Sequence, residues 1–164
     1  PPFRKDLPAA WSQLTQVFPV LSEELLEVIR IEQGVPRWGF ELEADTLPAE
    51  AGLDRTHIDF HKGCYIGQEV ISRIKSVGHV NRELRGFVAE DGSALVAGAR
   101  LFTADNPEKD LGRLTSTTFS FALDRPIAPG YLRRGAPIDG LLAASAEAPD
   151  APVRVALHPL PFVS

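Results

Sequence analysis

The sequence predicts an α+β protein in which a helical and loop-rich N-terminal part precedes a small antiparallel β-barrel. In the N-terminal part, apolar residues recur with the spacing of amphipathic helices. From about residue 81 the pattern changes to short apolar runs separated by turn residues, five or six in all. Runs spaced by roughly 10 to 15 residues are typical of a small barrel or sandwich. We therefore expect residues 1–80 and 81–164 to be separate structural units.

Composition limits what the chain can be. Its 164 residues are 44% hydrophobic and 24% charged, which is typical of globular proteins. No apolar run approaches the roughly 18 residues of a membrane span, and no signal peptide is visible. With one cysteine the chain forms no internal disulfide. It also cannot hold an iron–sulfur cluster of its own, because such a cluster needs about four cysteine ligands. We expect a reducing compartment, no membrane contact and no stably bound metal.

Two helices are expected before the connection to the central turn. The first covers Ala9–Phe18. The second extends from Ser22, a favourable N-cap, to Gln33, and Gly34 ends it. Its apolar positions share one face: Leu21, Leu25, Val28 and Ile29. Residues 34–56 are rich in glycine, proline and acids without a period, which indicates an ordered connection.

The only cysteine, Cys64, lies in a glycine-flanked turn ahead of a third predicted helix. Alternation at Ile58 and Phe60 favours a short strand before the turn, and helical spacing returns after Gly67 and ends at Gly78. A helix N-terminus and the adjacent Lys62 would both lower the pKa of a thiol. Cysteine is also among the residues most often buried as a small apolar group. Local pattern leaves both interpretations open.

The barrel strands are predicted from the apolar runs at residues 84–88, 94–102, 111–118 and 151–157. A turn is expected at Ala128–Gly130 because proline and glycine adjoin there, and a long loop at Ala143–Pro152.

Charge is unevenly distributed along an acidic chain of net charge −5. From Leu21 to Asp54, nine acidic residues face two arginines. The segment Arg73–Arg85 has four basic residues against one glutamate. One basic strip favours a local anion site over broad nucleic-acid binding, although a solvated surface explains it as simply.

Other chemistries have weaker support. Three histidines near Cys64 suggest a metal site, but their spacing matches no standard zinc pattern: His57, His61 and His79. The chain contains no G-x-S-x-G, Walker or G-x-G-x-x-G motif.

The run KGCYIGQE, residues 62–69, resembles the K-G-C-Y-x-G-Q-E signature of the YgfZ family, folate-binding relatives of the glycine-cleavage T-protein (aminomethyltransferase). Upstream, RIEQGVPRWGFEL at residues 30–42 resembles the family's R-x-E-x-G-x-P segment. Downstream, GHVNRELRGF, LGRLTST and IAPGYL resemble its C-terminal barrel. The resemblance implies that this chain is the C-terminal half of a longer protein, with residues 1–80 ending its folate-binding region and 81–164 forming the barrel.

The resemblance also implies a function. A YgfZ-type protein binds tetrahydrofolate or another reduced folate and supports the assembly or repair of iron–sulfur enzymes through transient contacts. Cys64 would be the reactive thiol, assisted by Lys62. The rest of the motif would shape the turn: Gly63, Tyr65, Gly67, Gln68 and Glu69. The residues expected near the folate are Leu26, Arg30, Glu32, Arg73 and Lys75, with Leu26 standing where T-proteins have arginine and YgfZ relatives often have tryptophan.

Three alternatives remain at this stage. The first is a folate-dependent aminomethyl or methyl transferase, which the cysteine disfavours because T-protein relatives typically lack it. The second is a tRNA-related role, which the basic strip supports weakly. The third is a binding module without enzymatic activity. The resemblance implies a bacterial cytoplasm or a mitochondrial matrix as location.

Overall fold

The computed structural model describes residues 7–59, 63, 67–69 and 80–163. Two helices, α1 (Leu7–Val17) and α2 (Glu23–Glu32), precede a short 3-10 turn at Leu53–Arg55. Seven strands follow: β1 (Arg82–Ala89), β2 (Arg100–Thr103), β3 (Gly112–Leu114), β4 (Thr118–Ser120), β5 (Arg125–Arg133), β6 (Leu141–Ala144) and β7 (Val153–His158). The first strand therefore begins at Arg82, close to residue 81, where strands were predicted to begin.

Helix α2 has the predicted ends. The Ser22 hydroxyl accepts a hydrogen bond from the Leu25 N–H at 3.2 Å, and this satisfies one of the free donors of the first turn. At the other end Gln33 is the C-cap, and Gly34 adopts φ +62°. A left-handed conformation is favourable for glycine, so the helix stops there. Helix α1 begins two residues before the predicted start.

Six strands close into an antiparallel barrel. Their order around the barrel is β1-β7-β6-β2-β3-β5, and β5 pairs again with β1 to complete the circle. This closing ladder extends from Arg82↔Arg133 to Val88↔Ile127. Strand β4 pairs with β5 alongside β3 and lies outside the closed circuit. The predicted antiparallel barrel is confirmed, and its interior is filled by apolar side chains that include Phe87, Leu101, Leu114, Ala128, Leu141 and Val155.

The predicted turn at Ala128–Gly130 is wrong, because these residues lie inside β5. Opposite β1, this strand pairs with β3 through Gly130–Leu132 and with β4 through Arg125–Ile127. Pro129 lies between the two ladders, and its carbonyl accepts the Thr115 N–H at 2.9 Å. A proline is tolerated here because neither ladder includes it.

Other boundaries also differ from the predictions. The run at 94–102 forms a strand only from Arg100, after a turn in which Gly98 has φ +82°. The run at 111–118 divides between β3 and β4. The predicted loop at Ala143–Pro152 starts later, since Ala143 and Ala144 belong to β6. Ile58 lies in no strand, and Phe60 and the predicted helix from residue 70 onward lie outside the described residues.

Helix α2 packs on the outside of the barrel, against β4 and β5. A small buried cluster forms this contact: Ile31 from the helix, Ile127 from β5 and Phe162 from the C-terminal segment. The Phe162 N–H donates to the carbonyl of Glu32 at 2.8 Å. Helix, barrel and C-terminal segment therefore share one packed interface, on which the candidate site is built.

Candidate functional site

A buried carboxylate, Glu41, lies where α2, the connection after it and the barrel meet. Its side chain is fully buried and accepts hydrogen bonds from four groups. The Arg30 guanidinium (2.9 Å) and the Arg37 N–H (3.0 Å) donate to Oε2. The hydroxyls of Thr115 (2.9 Å) and Ser116 (2.6 Å) donate to Oε1. A charge removed from water needs such compensation, so Glu41 joins three segments that are distant in sequence.

Arg30 is the cationic partner in this cluster. Its side chain is 12% exposed, and it also binds both carboxylate oxygens of Glu27 at 2.9 and 2.7 Å. The carbonyl of Val35 (2.5 Å) and the hydroxyl of Ser116 (3.0 Å) accept its remaining N–H groups. Burial by itself would lower the pKa of Arg30, but hydrogen bonds and charge from Glu27 and Glu41 outweigh it and raise that pKa.

The second member of the R-x-E motif, Glu32, binds a different part of the barrel. Its Oε1 accepts the Ser120 hydroxyl at 2.5 Å and the Ala122 N–H at 3.4 Å. The Ser120 oxygen in turn accepts the Leu123 N–H at 3.1 Å. Arg30 and Glu32 therefore fasten α2 to the barrel at two points.

Above Glu41 the chain forms a tight surface turn, Arg37–Leu42. The carbonyl of Arg37 accepts the N–H groups of Glu41 and Leu42, and the Leu42 carbonyl accepts that of Gly39. The guanidinium of Arg37 stacks on the Phe40 ring at 3.7 Å from its centroid and pairs with Glu27 at 3.0 Å. Trp38 is 70% exposed. Rigid, exposed aromatic and guanidinium groups are surfaces on which planar ligands or protein partners stack.

A second polar cluster joins the connection to the start of β1. The Tyr131 hydroxyl donates to the carbonyl of Glu41 at 2.9 Å, and the Arg82 guanidinium lies 4.6 Å from the tyrosine ring centroid. Arg82 also donates to Glu50 Oε2 at 3.0 Å, and the Leu84 N–H donates to the Glu50 carbonyl at 2.7 Å. Burial raises the pKa of Tyr131 to about 12, against the opposing charge of Arg82.

A groove of about 770 Å³ lies beside this second cluster. The segment 48–58, the turn after α2 and the start of β1 form its walls. Its lining includes both Ile58 and Val80, which lie at the two ends of the segment that contains the cysteine motif.

Some of the site residues predicted from the sequence lie on α2, and others lie in the cysteine motif. Arg30 and Glu32 belong to α2, but their charged atoms bind other parts of the same chain. Leu26, on α2, is 51% exposed. Gly63, Gly67, Gln68 and Glu69 are described, and Gly67 has φ +90°, as a tight turn before a helix requires. Five predicted residues lie outside the described residues: Lys62, Cys64, Tyr65, Arg73 and Lys75.

Sequence reasoning had no partner for Glu41 and did not identify Thr115, Ser116 or Tyr131. The signal in the sequence was an acid in the connection, 11 residues after Arg30. Within the described part of the chain, no group of three or more His, Cys, Asp or Glu side chains is arranged to hold a metal ion. No helix there is long and apolar enough to cross a membrane.

Residues 82–163 match the family model of the glycine cleavage T-protein C-terminal barrel domain. The chain belongs to this family. The match covers half of the sequence and coincides with the barrel seen in the structure.

Curated relatives of this T-protein barrel chain have two kinds of name. An aminomethyltransferase of Corynebacterium jeikeium is 31% identical over 120 residues, which are 73% of this chain and 30% of that protein. A mitochondrial iron–sulfur cluster assembly factor IBA57 homolog of Phaeosphaeria nodorum is 43% identical over 60 residues, 35% of this chain and 15% of that protein. The chain thus spans about a third or less of the length of these relatives.

A solved structure supports the fold over a wider range. The glycine cleavage system aminomethyltransferase T from Bartonella henselae superposes with a TM-score of 0.71 at 24% identity, covering 83% of this chain and 37% of that one. The covered share exceeds the barrel, so part of the region before residue 82 has a counterpart in that fold.

Proposed function

We propose that this T-protein barrel chain is part of a tetrahydrofolate-binding accessory protein that supports the assembly or repair of iron–sulfur enzymes, with Cys64 as its reactive thiol. The observation that carries the proposal is the difference in identity among the relatives. The Phaeosphaeria nodorum assembly factor is 43% identical over 60 residues and the IBA57 homolog of Dictyostelium discoideum 34% over 64, whereas the aminomethyltransferases are 31 to 32% identical over 102 to 120 residues. The KGCYIGQE run supports the same assignment.

In this proposal residues 1–80 belong to the folate-binding region and residues 81–164 to the barrel. A reduced folate has a planar pterin ring and an anionic glutamate tail. Exposed Trp38 and Leu26 would offer apolar surfaces to a planar group, and the Arg37 guanidinium, which pairs with Glu27, would be the nearest cation of the turn for the anionic tail. Arg30 and Glu32 act by holding α2 in place, since their charged atoms bind Glu41 and Ser120.

The residues of the cysteine motif have separate roles in the proposal. Lys62 and the helix N-terminus after Gly67 would lower the pKa of the Cys64 thiol. Gly63, Tyr65, Gln68 and Glu69 would shape the turn. Arg73 and Lys75 would attract the glutamate tail of the folate by charge. The proposed location is a bacterial cytoplasm or a mitochondrial matrix, the second in accord with the names of the IBA57 relatives.

The first experiment measures the alkylation rate of Cys64 against pH by intact mass, in which every adduct is assignable because the chain has one cysteine. We expect an apparent pKa clearly below the ordinary value of about 8.5, and a higher one in the Lys62→Gln variant. The second experiment titrates the protein with tetrahydrofolate and follows tryptophan fluorescence. The decisive readout is recovery of iron–sulfur enzyme activity in cells that lack their own factor of this type, with Cys64→Ala as the inactive control.

An aminomethyltransferase is the second candidate function, because several curated relatives have that name. A glycine-cleavage assay with lipoyl carrier protein distinguishes the two. Turnover in that assay, combined with no recovery of iron–sulfur enzyme activity by the unaltered chain, would replace the accessory role by the transferase. A thiol that reacts only after unfolding would remove Cys64 from the proposal.

A further inference from the structure

The surface turn Arg37–Leu42 is closed by its own backbone hydrogen bonds. The carbonyl of Arg37 accepts three N–H groups of the turn at 3.1 to 3.2 Å, and the carbonyl of Leu42 accepts the Gly39 N–H at 2.8 Å. These bonds are local, so they leave open the direction in which the turn projects from α2. That direction depends on the attachment of the turn to the barrel, which is made through Glu41.

The barrel holds Glu41 by its side chain and by its backbone. The Ser116 hydroxyl donates to Glu41 Oε1 at 2.6 Å and accepts an N–H of Arg30 at 3.0 Å, so it bridges the buried ion pair. The Tyr131 hydroxyl donates to the carbonyl oxygen of Glu41 at 2.9 Å. Both residues are buried, with 4% and 7% exposure; Ser116 follows β3, and Tyr131 belongs to β5, which pairs with β3. Two adjacent parts of the barrel therefore hold one residue of the turn.

This attachment uses buried polar groups rather than apolar ones. Removing the Glu41 carboxylate from water costs much of the free energy that its hydrogen bonds return, and buried ion pairs that are replaced as a whole by apolar side chains often leave stability unchanged. Hydrogen bonds, unlike apolar contacts, depend steeply on angle and distance. The four hydrogen bonds to the Glu41 carboxylate therefore contribute a defined orientation more than a gain in stability.

The exposed side of the turn carries the aromatic surface to which the proposed function assigns the ligand. Trp38 is 70% exposed and Phe40 43%, with the Arg37 guanidinium 3.7 Å from the Phe40 ring centroid. Side chains that contact a ligand bind it well only when supporting residues hold them within about 0.5 Å of the productive geometry. We propose that Ser116 and Tyr131 are positioning residues, which hold the turn so that Trp38 contacts the ligand; this role rests on the proposed function.

Amide hydrogen exchange measured by NMR tests the attachment without any ligand. Ser116→Ala and Tyr131→Phe each remove one hydroxyl that holds Glu41. The N–H groups of Glu41 and Leu42, which close the turn, should then exchange roughly three- to tenfold faster. Tyr131→Phe retains the aromatic ring, so it provides the same test if Ser116→Ala fails to fold.

Ser120→Ala is the matched control for Ser116→Ala, because it also removes a buried hydroxyl that donates to a glutamate. It should accelerate exchange of the Leu123 N–H, which donates to the Ser120 oxygen at 3.1 Å, and leave the amides of the turn unchanged. Ser116→Ala should produce the reverse pattern. Equal acceleration of both sets of amides by both serine variants would mean that the hydroxyls contribute only to global stability, and it would overturn the proposal.

Titration with tetrahydrofolate, followed by tryptophan fluorescence, tests whether the position of the turn matters for binding. Ser116→Ala and Tyr131→Phe should each weaken binding roughly three- to tenfold. Val155→Ala, in the barrel interior on β7, should lower stability and leave the affinity unchanged. Unchanged affinity in both hydroxyl variants, despite faster exchange in the turn, would overturn the proposal. An unaltered chain that binds no tetrahydrofolate would overturn the proposed function, whereas the exchange pattern would still show whether the two hydroxyls position the turn.

Discussion

Arg30 and Glu41 form an ion pair of 2.9 Å between helix α2 and a buried position in the connection that follows it. The hydroxyls of Thr115 and Ser116 complete the coordination of the glutamate from the barrel. This pair of charges therefore links the helix, the surface turn and the barrel, together with the Glu32–Ser120 contact and the apolar cluster around Ile31.

Removing the buried carboxylate should be costly. Glu41→Ala removes the buried carboxylate that accepts from the Arg30 guanidinium and from the Ser116 hydroxyl, and breaking such a buried pair costs about 3–5 kcal/mol. Urea unfolding monitored by circular dichroism measures the change. Glu23→Ala, at an exposed glutamate of α2, is the matched control and should cost well under 1 kcal/mol. Equal effects of the two substitutions on the free energy of unfolding would show that the buried ion pair does not stabilise the protein more than an exposed glutamate does.

The Tyr131 hydroxyl should lose its proton only at unusually high pH. Its pKa is raised to about 12, so the folded protein retains the proton between pH 10 and 12 where the unfolded chain releases it. The folded state binds more protons in this window, and stability should therefore fall as pH rises from 10 to 12. In a Tyr65→Phe background, Tyr131 is the only tyrosine, and absorbance at high pH reports it alone. An apparent pKa near 10 in the folded protein would contradict this assignment.

Acid should weaken the attachment of α2 through Glu27. Hydrogen bonding to Arg30 lowers the pKa of Glu27, so the stabilisation is complete above the ordinary glutamate pKa and is lost as pH falls through the lowered folded value. Unfolding free energies measured between pH 6 and 3 should fall more steeply for the unaltered chain than for Glu27→Gln. An equally steep fall for Glu27→Gln and for the unaltered chain would contradict the prediction.

A side chain at position 112 should prevent the barrel from closing properly. Gly112 has φ +149°, and a Cβ there would lie 1.9 Å from the carbonyl oxygen of Tyr131, a backbone atom that cannot move aside. Gly112→Ala should therefore abolish cooperative unfolding or lower stability by more than about 3 kcal/mol. Gly92→Ala provides the control, because Gly92 also has positive φ but open space around its Cα. It should cost only about 1–2 kcal/mol.

The link between Glu32 and Ser120 can be measured by a double-mutant cycle. Each of Glu32→Gln and Ser120→Ala should cost about 1–3 kcal/mol, because each leaves a partly buried hydrogen-bonding group without its partner. The double variant should cost clearly less than the two together. Strict additivity in urea unfolding would mean that the 2.5 Å contact contributes no coupling.

Local chemistry in the sequence determined the ends of α2 and the change of class at residue 81. Ser22 and Gly34 act through hydrogen bonds and φ values within a few residues, so their effect is readable without the fold. The wrongly predicted turn at Ala128–Gly130, in contrast, could not be corrected from local sequence. A proline interrupts a strand only where a neighbouring strand would accept its missing N–H, and the pairings with β3 and β4 both leave Pro129 out.

The site divides in the same way. The sequence by itself determined that the chain has one thiol and that a barrel follows, and it predicted that Arg30 and Glu32 lie near a folate. Only the tertiary structure decided that both R-x-E side chains bind the barrel, that Glu41 is buried, and that Leu26 and Trp38 are exposed. The physical reason is that Thr115, Ser116 and Ser120 are more than 70 residues from their partners in sequence. Folding of the barrel brings these residues together, and a contact over that sequence distance cannot be predicted from local sequence.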